Sequence, residues 1–239
     1  MFNVFAAPGE VFTEVKASPP RPTNWLLPAL LLLLAGWVGG WLVARDPVLQ
    51  QQQSDLQEQA LVKMGEKLKW TDQQLNEQRQ KAEERKGVGV GIGIFGAPVA
   101  SAIIATFWWA LMLWLVGAKV LKGAFTYGKA LEAAGLIAMI EVLNKVLTPL
   151  LQLAMGTAFA APTLLLPLVK DFQATNALHM TLASANLLDF WGVTVSAVAV
   201  ARMSGASFTK AAVWVFGVWI FWKACLIGVS LVWLRFLGF

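Results

Sequence analysis

The stretch "WLLPALLLLLAGWVGGWLVA", residues 25–44, runs twenty residues without a charge. At ~1.5 Å of rise per residue, a helix of that length reaches ~30 Å, the hydrocarbon thickness of a bilayer. No water is available there, so the backbone must satisfy its own hydrogen bonds, and a helix does so within one segment. Four more apolar blocks follow, within 93–117 and at about 129–154, 177–201 and 211–234. Only 14% of the chain is charged, against about 25% in a soluble domain. The expected fold is all-α, a polytopic membrane helical bundle of about five spans with the lipid bilayer as its surroundings.

The blocks divide the chain into a polar N-terminal segment (1–24), a first span (25–44), a charged insert (45–87) and a four-span bundle (88–239). The segment before the first span is Pro-rich and partly acidic, and no small-x-small site follows that span. The sequence therefore predicts an uncleaved span rather than a signal peptide. The insert holds eight basic and eight acidic residues. It is rich in Gln, Glu, Lys and Leu, all good helix formers, so a helix or helical hairpin is expected. Leu61, Leu68 and Leu75 recur every seven residues, with Met64 and Trp70 near the same seam and Leu49 and Leu56 outside it. That repeat is too short for a coiled coil. Pro149 is expected to kink the third span or hasten its end. Residues 155–176, with Pro162 and Pro167, read as an interfacial or re-entrant connection. Trp25 and Trp233 mark span ends.

Several motifs yield no chemistry. "GIGIFG", residues 91–96, fits G-x-G-x-x-G, but it opens a span instead of following a strand, and the next acid is Glu132. Its glycines, with Gly87 and Gly89, read as close helix contacts or a flexible lead-in. Gly36 and Gly40 have the spacing of close-packed membrane helices. His179 is the sole histidine, and with one distant Cys225 it cannot make a metal site. A lone cysteine cannot form an internal disulfide. The net charge of +5 comes without a dense basic stripe, so no nucleic-acid partner is expected. No cofactor, no metal and no catalytic residue is expected either, and the chain is not expected to be an enzyme.

The charges inside the apolar blocks say more. Glu141 and Lys145 lie four apart in the third span, the favoured order for a helical ion pair. Asn144, Thr148 and Gln152 extend that face. Asp189 and Lys223 sit in the last two spans. Each charge facing lipid at a span centre costs about 2.5–3.5 kcal/mol, so these groups should face one another or water. Two acids and two bases make a neutral set, which favours a structural polar core over a transport path. The turn "RMSGASFTK" centres on Ala206, seventeen residues from both Asp189 and Lys223. In an antiparallel hairpin the two side chains then share a depth, and they are expected to pair. Glu141 is a competing partner for the lysine, and the Trp219 ring a further one.

Both ends of the chain carry a resemblance. "NVFAAPGEVFTEVKASPPRPTNWLLPAL" and "LLDFWGVTVSAVAVARMSGASFTKAA" resemble the opening and the paired last spans of bacterial members of the YIP (Ypt-interacting-protein domain) family. The resemblance implies five spans, a cytoplasmic N-terminus and a place in the bacterial inner membrane. It also marks Pro8, Gly9, Glu10 and Phe12 as an N-terminal interaction segment. Val11, Phe12 and Val15 fit one helical face there, either packed on the bundle or docking a partner. Eukaryotic relatives are linked to Rab-type GTPases, but their Asp-Leu-Tyr-Gly-Pro motif is absent here, so no GTPase partner is implied. The expected role is a non-enzymatic membrane organiser or scaffold, acting as a homo-oligomer or with a membrane-protein partner. The alternative is a small ion or solute transporter or channel built on Glu141, Lys145, Asp189 and Lys223.

Overall fold

Proline at the first helical position opens α1 (Pro8–Ala17), where its missing N–H costs nothing, and Glu10 and Lys16 sit at the ends the helix dipole favours. This computed structural model describes residues 1–172 and 177–237, with the side chains at 86, 105, 170, 171, 177, 231 and 233–237 outside the description. Trp233 is among those. The first long apolar block forms α2 (Thr23–Arg45). Asp46 then caps α3 (Pro47–Leu68), accepting from the Leu49 amide at 2.9 Å. The chain reverses at Lys69, which adopts φ 53°, and Thr71 with Gln74 makes a reciprocal cap on α4 (Asp72–Gly91).

From α4 the helix runs on without a break. It passes through a π-turn (Ile92–Gly96), α5 (Ala97–Ile103), a second π-turn (Ile104–Trp108), α6 (Trp109–Trp114) and a third (Leu115–Val120). After a short connection come α7 (Tyr127–Met155), a 3₁₀ turn (Leu166–Asp171), α8 (Ala177–Ser184), α9 (Leu187–Ser204) and α10 (Phe208–Leu237). Among the described residues no strand forms. Five helices among these residues are long and apolar enough to cross a membrane: Thr23–Arg45, Gly87–Val120, Tyr127–Met155, Leu187–Ser204 and Phe208–Ser230.

The centre of the bundle is α7, and its sequence explains why. Ala130, Ala133, Ala134 and Ala138 are buried on it, and such small side chains let neighbours approach closely. It packs most extensively on α2 and also touches α6, α9 and α1. At Gly135 a side chain would collide with the backbone of Trp25, and at Gly39 with the Pro149 ring. The outer faces are the reverse of a soluble protein's. Leu34, Val38 and Trp41 on α2 and Val213, Phe221 and Val229 on α10 are exposed, Phe221 to 71%. A surface of that kind needs lipid or a protein cover.

The amphipathic face of α1 is folded onto α9 and α7. Phe12 is fully buried and Val15 nearly so, both within the main core. Gly9 lies under the Arg202 guanidinium, and Lys16 Nζ donates to Arg202 O at 3.4 Å.

Several details refine the sequence reading. The second span starts at Gly87 rather than within 93–117, and its helix is continuous with α4 despite Gly87, Gly89 and Gly91. Gly87, Gly89, Gly91 and Gly93 meet no neighbour within 4 Å, so they make no close helix contact. Pro149 lies inside α7, which ends six residues later at Met155, and its ring packs against Gly39 of α2. The fourth span starts at Leu187, not at 177, because the helix breaks at residues 185–186. The leucine seam is not sustained: Leu68 is 56% exposed, whereas Leu49, outside the seam, is fully buried.

Candidate functional site

The break before α9 builds the site. Asn186 Oδ1 accepts from the Leu188 amide at 2.8 Å and so caps α9. The broken strand of chain is satisfied by the returning connection: Leu164 N donates to Ala185 O at 3.1 Å and Leu187 N to Pro162 O at 2.9 Å. Asp189 follows in the first turn of α9, where the helix dipole favours a carboxylate.

Across from it, Lys223 of α10 places Nζ 2.6 Å from Asp189 Oδ2. The ammonium also donates to Ser184 O at 3.3 Å, a carbonyl freed by the helix break. It lies 5.7 Å from the Trp219 ring centre. The lysine is therefore held by Asp189 rather than by Glu141, with Trp219 adding a cation–π contact.

A second polar group sits on α7. Lys145 Nζ is 3.6 Å from Glu141 Oε1. Asn144 donates to Glu141 Oε2 at 3.3 Å, and Thr148 donates to Asn144 Oδ1 at 3.2 Å. Asn186 Nδ2 joins the two groups by donating to the same Asn144 oxygen at 3.1 Å. Glu141, Asn144, Lys145, Asp189 and Lys223 thus lie in one connected region. Gln152 stands apart: with Gln52 of α3 it braces the loop after α7, Gln52 bonding both Gly156 O and the Ala158 amide.

Beside this region is a half-open cavity of about 390 Å³ between α5, α6, α7, α9 and α10. Its wall is mostly apolar, with Glu141, Asp189 and Lys223 as its charged members and Trp109, Trp219 and Trp222 as its aromatic ones. A volume of this order suits a small ligand. Among the described residues no group of His, Cys, Asp and Glu could hold a metal ion. Of the N-terminal residues Pro8, Gly9, Glu10 and Phe12, none lines this cavity; Gly9 lies against Arg202 in the last turn of α9, Glu10 is exposed and Phe12 is buried.

One polar group escaped the sequence reading. Lys129 Nζ and Glu132 Oε1 lie 2.8 Å apart, both buried, and Asn24 of α2 donates to Glu132 Oε2 at 2.8 Å. The signal was present in "GKALEAAG", where the two charges are three apart on a small-residue helix. Asn24, Glu132 and the close contact at Gly135 fasten α2 to α7. No protein-family model, characterised protein or solved structure matches this chain.

Proposed function

We propose that this chain is a non-enzymatic, five-span integral membrane protein whose half-open cavity takes up a small amphipathic solute, as a carrier or receptor within the bilayer. The observation that carries this reading is the cavity itself. A purely structural polar core would be closed, whereas Glu141, Asp189 and Lys223, each held in an ion pair, border open volume. Broken helices at membrane depth are tolerated where they are covered by protein or line a cavity, and the α8–α9 break lies beside this one.

In this reading residues 1–22 lie on the cytoplasmic side, the α3–α4 hairpin is the extracytoplasmic insert, and the membrane is a bacterial inner membrane. These assignments follow from the YIP resemblance at the two ends of the chain. A YIP-type scaffold is the second reading, favoured by the "PGEVF" helix and its docking on α9.

A cysteine at Gly192, which borders the cavity and has no neighbour within 4 Å of an added Cβ, tests the proposal in a Cys225→Ala background. In membrane vesicles it should react with a water-borne methanethiosulfonate reagent. A cysteine at Ile220, 57% exposed on the outer face of α10, should not. A Gly192→Cys protein as inert as Ile220→Cys would leave a dry core and favour the scaffold.

A further inference from the structure

We infer that the occupant of this cavity is a small hydrophobic organic cation, an inference that rests on the solute-chamber reading above. The charge of the wall comes first. Two carboxylates, Glu141 and Asp189, border the cavity against one ammonium, Lys223. Asp189 and Lys223 are in contact at 2.6 Å and neutralise each other. Glu141 is left. Its own-helix lysine stands 3.6 Å away, does not border the cavity, and is 39% exposed. The other Glu141 oxygen has an amide hydrogen from Asn144 at 3.3 Å, a neutral donor. A carboxylate so loosely compensated at membrane depth is costly unless a cation approaches it.

The aromatic wall selects the kind of cation. Trp109, Trp219 and Trp222 line the cavity, and indole is the best aromatic group for a cation. Trp219 already holds one ammonium near its ring, that of Lys223. A hydrated metal ion fits poorly, since Mg²⁺ and Ca²⁺ require about six oxygen ligands and this wall is mainly apolar. An anion meets Glu141 head on. A neutral amphiphile fills the apolar part but leaves the Glu141 charge dry. A compact quaternary ammonium with an aromatic or alkyl body satisfies wall and charge together.

Benzyltrimethylammonium and its uncharged carbon isostere, neopentylbenzene, separate these possibilities. The purified full chain in lipid nanodiscs should bind benzyltrimethylammonium by calorimetry. The same cation should protect Gly192→Cys, in the Cys225→Ala background, from thiol labelling. Glu141→Gln should weaken cation binding at least about tenfold, the scale of a charged contact. Trp222→Leu, on the aromatic wall and independent of the carboxylate, should weaken it about three- to tenfold. Benzylsulfonate should neither bind nor protect. If neopentylbenzene protects as well as the cation and Glu141→Gln alters neither, the chamber stands and cation selection is overturned. If Gly192→Cys labels freely but the cation neither binds nor protects, cation selection is likewise overturned. If Gly192→Cys does not label at all, the chamber reading fails first.

Discussion

Asp189 shows how a carboxylate is accommodated in an apolar sequence. Two things act on it together: the ammonium of Lys223 at 2.6 Å, and the N-terminal dipole of α9, in whose first turn it sits. Removing either partner leaves a charge without its counterion. A fully buried pair in a soluble protein loses ~3–5 kcal/mol in that way. Here each side chain keeps about a quarter of its surface exposed, and Asp189 sits near a helix end, so the loss should be on the order of 1–3 kcal/mol. Asp189→Ala and Lys223→Ala should each lower the thermal midpoint and the yield of folded protein in detergent. The double variant should be less damaged than the sum of the two singles. Strict additivity would mean that the two residues do not depend on each other. This pair was legible in the sequence because equal spacing from one turn fixes equal depth in a hairpin. The Lys129–Glu132–Asn24 group was not, because its partner comes from α2, and no local spacing reports which span lies against which.

At the scale of elements, apolar length located every span, since a helix crossing a bilayer needs about twenty apolar residues. The ends were less legible. The break that separates α8 from α9 depends on hydrogen bonds from 162–164, which are distant in sequence. The continuity of α4 into the second span was not legible, because Gly87, Gly89 and Gly91 weaken a helix by local sequence alone. The docking of α1 was legible as one apolar face, but the choice between bundle and partner was not. With Phe12 fully buried, Phe12→Asp should destabilise the protein by at least about 3 kcal/mol, through lost packing and a stranded charge. The readout is the thermal midpoint of the purified chain. An unchanged midpoint would mean that α1 leaves the bundle in the membrane and that its apolar face serves a partner.

For the whole molecule, the claim is that the apolar outer faces contact lipid and the polar groups gather inside. That claim places the α3–α4 hairpin and the α9–α10 turn on opposite faces of the membrane, because three crossing helices lie between them. Cysteines at Gln74 and Ala206, each introduced singly in a Cys225→Ala background, test it with an impermeant thiol reagent. In sealed vesicles of one orientation, one cysteine should label from outside and the other only after the membrane is opened. In vesicles of the opposite orientation the pattern should reverse. Labelling of both cysteines from the same side would contradict the five-span bundle, and with it the membrane depth assigned to Glu141, Asp189 and Lys223.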